Sequence, residues 1–508
     1  MKSLGESTMP SNIASADPAA EFSPAPLLDA FENFQGSFFD LDRNVRISAG
    51  TLKHLKTELH SQMARHGLTA GDRVIAALPN GPLFAAVWAA TLEAGAAPIL
   101  VHSDTPQSEL DRMAAQWSAQ FVVTEAVAGR QDNERPRQSF SSQAFPSQAF
   151  SAGEHGMARW QRVDNRNASR DAIRLSSVPL HPTSGTSAGP KLAVRPGPCA
   201  VAEPLHYIET LAINRSDAIL CAIPMSHAYG YGMCFMVPLL TSADLLFTRH
   251  FNPALVHQAL HQMSISIFPA VPFILDSLLA VDVAHPVKPP RIVLSAGAPL
   301  TRKTFDAFRH RYKLAVRPLY GTTETGGISI ASAEDEFDGG VGPAMAGVEV
   351  ALRPAGVDDS DQAKILRVRS ASMMAGYLES GAINRNSVAD GWFETGDLAQ
   401  IDARGRIHLL GRMSEVINVF GLKVIPREVE EVIALLPEVA EVKVYARRDM
   451  GSEVVEAAVV CRISLDEGKI LKHCEKHLVG YKCPTAIRFV SALPRTASGK
   501  IAVEQLAK

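Results

Sequence analysis

Residues 183–191 read Thr-Ser-Gly-Thr-Ser-Ala-Gly-Pro-Lys, which packs four hydroxyls, two glycines and a lysine into nine positions. Hydroxyls and exposed amides hydrogen-bond to phosphate oxygens, and a lysine adds a point charge. Glycine lets the backbone approach an anion closely. The run therefore reads as a loop that grips a phosphate chain through Thr183, Ser184, Gly185, Thr186, Ser187 and Lys191. It lacks the G-x-x-x-x-G-K-[ST] spacing of a Walker loop. A flexible surface turn would draw on the same residue types.

Further polar clusters follow at strand ends. Tyr320, Gly321, Thr322, Thr323, Glu324 and Thr325 come directly after the apolar segment 315–319. A carboxylate beside hydroxyls suits Mg2+, which takes oxygen ligands and keeps waters and substrate phosphates. An acid-supported helix N-cap is the structural alternative. Asp397 closes the run Gly-Trp-Phe-Glu-Thr-Gly-Asp. A fixed carboxylate there can chelate two vicinal hydroxyls, as on a ribose, although an Asx-turn uses the same Gly-Asp pair. Gly297 and Ala298 follow an apolar strand, where small residues leave room for a planar ring or for close backbone packing. Arg412 could hold phosphate bidentately. Lys500 lies in a Gly/Ser loop near the end of the chain, where a lysine on its own is ordinarily just solvated.

The elements that must position these residues alternate helix and strand. Helical periodicity at 52–66, 84–94 and 109–119 is interleaved with apolar strands at 73–78, 98–101 and 121–123. Strands spaced by helices predict βαβ units and a mostly parallel sheet. Residues 128–170 are polar, with Ser-Gln-Ala-Phe occurring twice, and read as a surface loop or insertion. The rhythm returns from 171 to 330, with strands at 218–223, 265–268 and 291–294. Residues 341–412 carry short strands between Gly and Asp turns, a β-rich patch. Pro426 opens a helix with Val429, Val432, Ile433 and Leu436 on one face, beginning a separate α+β unit.

The 508 residues are 46% hydrophobic and 20% charged, which suits a globular protein with more than one core. A formal net charge of −3 gives no basic footprint for nucleic acid. Six scattered cysteines form no C-x-x-C pair, so neither a disulfide framework nor a zinc site is implied, and a cytoplasmic protein with reduced thiols is expected. Residues 1–26 are rich in Ser, Pro and Ala, lack an apolar core for export, and read as a loose tail. The apolar stretch 84–101 contains Glu93, Gly95 and Pro98 and reads as a buried helix plus strand rather than a membrane span.

Taken in order, these motifs resemble those of the adenylate-forming superfamily: acyl-CoA synthetases, adenylation domains of peptide synthetases, and luciferases. The resemblance runs from about residue 50 to the C-terminus. It implies an α/β fold in which a large domain (27–412) combines layered α/β subdomains with a β-rich subdomain, and a small mobile α+β domain (413–508) follows. It also implies an enzyme that uses ATP and Mg2+ to turn a small-molecule carboxylate into an acyl-adenylate with release of pyrophosphate, then passes the acyl group to a thiol. Coenzyme A is the first choice of thiol. The phosphopantetheine of a carrier protein supplied in trans is the second, and a non-catalytic nucleotide-binding protein is disfavoured because Lys500 and Glu324 are both present.

By the same resemblance, the loop at 183–191 holds the β- and γ-phosphates, Glu324 contacts Mg2+, and Thr323 contacts the α-phosphate. Tyr320 stacks on adenine beside Gly297 and Ala298, with Gly321 and Thr322 in the same motif. Asp397 binds the ribose hydroxyls with Arg412 beside it, and Lys500 bridges the carboxylate and the α-phosphate. His227, in Pro-Met-Ser-His-Ala-Tyr-Gly, matches the residue that gates the acyl pocket; a buried, hydrogen-bonded histidine is the structural alternative. Val271 and Pro272 line that pocket or simply its core strand. Ser414 stands at the hinge, and Lys423 lies in the loop that faces the thiol channel. Ala188 and Ser414 depart from the family pattern, which has Gly and Asp or Lys there. The Phe-Asp pair of the amino-acid-activating branch is missing, so the expected substrate has an uncharged acyl or aryl tail, because a buried unpaired ammonium is costly.

Overall fold

The computed structural model describes residues 22–126, 148–151, 157–163, 178–183, 190–282, 288–355, 363–379, 382–449, 452–495 and 501–506. Two large sheets dominate. One has eight strands in the order 326–330, 316–322, 292–295, 267–270, 218–221, 244–247, 37–40 and 45–48. The other has nine, in the order 382–384, 376–379, 192–194, 180–182, 97–101, 73–77, 121–125, 157–162 and 148–151. Their central strands pair in parallel, as at Ile75↔Ile99 and Phe268↔Val293. This is the doubly covered α/β layering that alternating strand and helix patterns require.

The helix Pro82–Glu93 shows how the layers join. Proline at its first turn supplies a ready φ, and every residue from Pro82 to Leu92 is buried. A helix apolar on all sides must be covered on all sides. Trp88 meets Phe235 edge-to-face at 4.9 Å, and Phe84 meets the same ring at 5.3 Å. No helix among the described residues is long and apolar enough to cross a membrane.

A third, antiparallel sheet carries the β-rich region, with 348–354, 364–370, 392–401 and 388–389 in order and 407–412 paired to 392–401. Beyond it, Ile417, Val429, Ile433, Val444, Val455 and Ile470 form a hydrophobic cluster of their own. The helix Pro426–Ala434 packs onto this cluster through Val429 and Ile433. Leu436 is buried in it too, but from beyond the helix end.

Two sequence expectations change. The segment 128–170, read as a loop, contributes the strands Gln148–Ser151 and Met157–Arg162, which extend the nine-stranded sheet through Phe121↔Arg162. The buried Trp160 meets the Phe121 ring at 6.4 Å and anchors this edge. The expected tail of residues 1–26 also gives way before its end, because the helix Ala25–Asn33 starts within it. Ser23 lies so close to Gly197 that a Cβ there would fall 2.3 Å from its carbonyl oxygen. Residues 1–21 lie outside the described residues.

Candidate active site

Asp397 sits inside the strand Trp392–Ile401, and antiparallel register places Arg412, the last residue of Ile407–Arg412, directly opposite. Arg412 Nε donates to Asp397 Oδ1 at 2.7 Å. The Tyr320 hydroxyl, from the strand Val316–Thr322, donates to Asp397 Oδ2. The Asp397 amide donates to Thr395 Oγ1 at 3.0 Å, and that hydroxyl donates to the Leu366 carbonyl at 3.1 Å, so the carboxylate has a rigid footing. Burial pushes the Asp397 carboxyl above the usual aspartate range, with Arg412 and Tyr320 pulling it back. Burial and the Asp397 charge together push the Tyr320 hydroxyl well above its ordinary value, so it stays a donor. Each carboxylate oxygen has a second lone pair that can accept from a diol.

Glu324 lies in the turn between the antiparallel strands Val316–Thr322 and Gly326–Ile330, so the helix N-cap alternative does not apply. Thr322 Oγ1 accepts from the Thr325 amide at 3.2 Å and closes the turn with Thr323 and Glu324 at its tip. Gly321 is exposed at its base. Glu324 Oε1 accepts from the Tyr377 hydroxyl at 2.7 Å, and burial and the Glu324 charge raise that hydroxyl's pKa.

Tyr377 also touches the stem of the glycine-rich run. The strands Leu180–Pro182 and Leu192–Val194 pair antiparallel, and the Thr183 amide donates to the Lys191 carbonyl at 2.8 Å, closing the stem. Lys191 Nζ lies 4.9 Å from the centre of the Tyr377 ring and 3.2 Å from Glu379 Oε1. The base of the hydroxyl-rich run and the Glu324 turn thus meet through a single tyrosine. Ser184, Gly185, Thr186, Ser187 and Ala188 lie outside the described residues, as does Lys500.

Gly297 and Ala298 are exposed at the end of the strand Ile292–Ser295, which is parallel to and paired with the Tyr320 strand. Gly297 has φ +80°, and a Cβ there would lie 3.5 Å from Val271 Cγ1. Val271 is the N-cap of the helix Pro272–Ala280, so the start of this helix adjoins Gly297. His227 is exposed rather than buried, one residue before the short helix Ala228–Gly230, and its ring lies 6.3 Å from that of His102. A π-helical stretch, Tyr231–Met236, follows; this rare winding occurs often at functional sites. Buried Asn80 fixes the loop ahead of His227. It accepts from the Met225 amide at 2.8 Å and donates to the Ile223 and Thr248 carbonyls at 3.0 and 3.1 Å.

Lys423 stands apart on the hairpin Ile417–Val419/Leu422–Val424, and among the described residues no hydrogen bond or ion pair joins it to the Asp397 cluster. Ser414 is exposed in the short helical turn Met413–Glu415. Nothing in the sequence singles out Tyr377 or Asn80. Neither lies in a motif with chemical spacing: Tyr377 is placed by the pairing of Gly376–Glu379 with Leu192–Val194, and Asn80 by bonds to distant loops.

Comparison with known proteins identifies the family. The AMP-binding enzyme family model matches residues 31–378, and the AMP-binding enzyme C-terminal domain model matches residues 428–500. The 4-coumarate–CoA ligase 3 of Oryza sativa subsp. japonica is 26% identical over 86% of this chain and 83% of its own length. The 2-succinylbenzoate–CoA ligase of Listeria monocytogenes is 30% identical over 65% of this chain and 69% of its own. ATP-bound MatB from Rhodopseudomonas palustris shares the fold at a TM-score of 0.78 and 21% identity, covering 95% of this chain and 98% of that one. With both family models matched in order along the chain, it is an enzyme that belongs to the AMP-binding enzyme family.

Proposed function

We propose that this chain is an AMP-forming carboxylate–CoA ligase acting on an acyl or aryl acid with an uncharged tail. The observation that carries this reading is the union of two clusters: Asp397 held by Arg412 and Tyr320, and Glu324 tied through Tyr377 to Lys191. The first suits the ribose hydroxyls of a nucleotide, and the second suits its phosphates. Gly297, Ala298, Gly321 and Thr322 would frame the adenine and its sugar, and Thr323 the α-phosphate. The CoA ligases among the relatives support the thiol acceptor.

In the first step a carboxylate oxygen attacks the α-phosphorus, the bond to pyrophosphate breaks, and an acyl-adenylate forms. In the second, a thiolate sulfur attacks the acyl carbonyl and AMP leaves. Both reactants of the first step are anions, so positioning and positive charge supply most of the catalysis. By family resemblance, Lys500 places an ammonium between the carboxylate and the α-phosphate. Glu324 fits Mg2+, which binds one or two carboxylates plus substrate phosphates and, when present, neutralises charge on the leaving group. Ser184, Gly185, Thr186 and Ser187 would donate to the β- and γ-phosphates, with Thr183 and Lys191 at the stem.

His227 would shut the acyl pocket from water. After adenylation, residues 413–508 would turn about Ser414 and bring Lys423 to the thiol channel. The six cysteines, none bridged by a disulfide, suit a reducing cytoplasm.

Carboxylate-dependent exchange of pyrophosphate into ATP tests the first step, with 4-coumarate, 2-succinylbenzoate and a panel of aliphatic acids as probes. Exchange with at least one acid is expected, and none across the panel would sink the ligase reading. Thioester formation with CoA is expected in the same reaction. Transfer only to a phosphopantetheinyl carrier protein would replace CoA as the acceptor.

A further inference from the structure

A fully buried ion pair lies beneath the site. Arg195 Nη1 donates to Glu203 Oε2 at 2.6 Å, and the two side chains are 0% and 1% exposed. Arg195 immediately follows the strand Leu192–Val194, four residues after Lys191. Its other arm donates to the Ser372 carbonyl at 3.3 Å, and the Ser372 hydroxyl donates to the Thr325 carbonyl at 2.6 Å. The Glu203 carboxylate lies against two stretches of bare backbone. A Cβ on Gly326 would come within 2.5 Å of it, and one on Gly232 within 2.6 Å. Gly326 lies two residues after Glu324, and Gly232 lies in the π-helical stretch that follows His227.

A buried pair of this kind is a poor stabiliser, because desolvating both charges offsets most of their attraction. Apolar residues of similar volume often serve stability as well or better. Its contacts point elsewhere, to three segments that must agree in position: the strand that carries Lys191, the Glu324 turn, and the helix behind the acyl gate.

We propose that Arg195 and Glu203 are positioning residues, which present the triphosphate-side groups of the site in one register and tie them to the acyl-gate helix. The inference rests on the ligase reading above. On the ribose side Asp397 is held by Thr395 and Arg412, both outside the hairpin that carries Glu324, and it shares only Tyr320 with that hairpin. The pair should therefore govern binding of the triphosphate and leave AMP binding alone.

Calorimetric titration of the full-length protein with ATP plus Mg2+, and separately with AMP, tests this. In Glu203→Gln the MgATP dissociation constant should rise roughly tenfold, the usual scale for a lost charge-assisted hydrogen bond, while that for AMP stays within about twofold. The double variant Arg195→Met/Glu203→Leu should melt no lower than the wild type and show the same selective loss. It also serves as the test if the single variant does not fold. Wild-type MgATP affinity in the double variant, or equal loss of ATP and AMP, would overturn the proposal. Wild-type protein that binds neither nucleotide would instead overturn the ligase reading.

Discussion

Asp397 shows how much of this site rests on single atoms. Arg412 and Tyr320 each occupy one of its oxygens, so a nucleotide diol bound as proposed would use the remaining lone pairs. Asp397→Asn keeps the shape but removes the charge and turns one acceptor into a donor. AMP should bind roughly tenfold more weakly, read by calorimetry, with MgATP weakened alongside it. Glu203→Gln, by contrast, should weaken MgATP and leave AMP binding nearly unchanged. The pH dependence follows from burial, which raises the carboxyl's pKa above the usual aspartate range. The diol needs the ionised form, so AMP affinity should fall on acidification at a pH above the ordinary aspartate value. For folding alone the sign is reversed: a raised pKa favours the protonated protein and costs stability as pH rises through it. Lys500→Ala should abolish pyrophosphate exchange while a preformed acyl-adenylate still yields thioester. Equal loss in both steps, measured separately, would remove Lys500 from its assigned role.

The helix Gly197–Leu211 carries a consequence of its own. Its buried His206 packs so close to Gly347 that a Cβ there would lie 2.7 Å from the ring. Burial, helped by Arg195, lowers the His206 pKa from 6.5 to about 4. The unfolded chain therefore binds a proton that the folded chain rejects between those values. Stability should fall as pH drops from about 6.5 to 4, by up to about 3 kcal/mol from this group. Chemical denaturation of His206→Gln across that range should show a shallower slope than the wild type. Asn80 belongs to this scale as well. Asn80→Ala would strand the buried Met225 amide at a cost of about 1–3 kcal/mol, and it should raise KM for the carboxylate as the loop before His227 loosens.

The sequence made the elements around these residues partly legible. Apolar strands ending in Gly, Ser or Thr announced the Tyr320 and Gly297 positions, because such strands are buried and their ends are not. The strands at 148–151 and 157–162 are not legible in the sequence, since such short strands near a sheet edge carry too little alternation to stand out. The Arg195–Glu203 pair was invisible for a different reason. A charged residue reads as surface until the fold supplies its partner, and this partner comes from the next helix.

At the scale of the whole molecule, the turn Met413–Glu415, where the pivot is proposed, has a visible anchor. Lys443 Nζ reaches Glu415 Oε2 at 3.0 Å and Glu430 Oε1 at 3.1 Å, tying the turn Met413–Glu415 to the small C-terminal cluster. A pivot at Ser414 would leave Glu415 travelling with that cluster. Lys443→Met should slow thioester formation from a preformed adenylate while pyrophosphate exchange keeps its wild-type rate. A change confined to exchange would place the pivot elsewhere.

The strand Gly376–Glu379 belongs by sequence to the β-rich region, yet it pairs with Leu192–Val194, as Gly376↔Val194 shows. During synthesis the nine-stranded sheet therefore waits with an open edge, and the Lys191 stem is unsupported until residue 379 has cleared the ribosome. At about 5–20 residues per second that delay is roughly ten to forty seconds. A nascent chain halted before residue 376 would hold the older half of the site without Tyr377, the side chain that joins its two halves, and would expose a bare strand to its neighbours on the polysome.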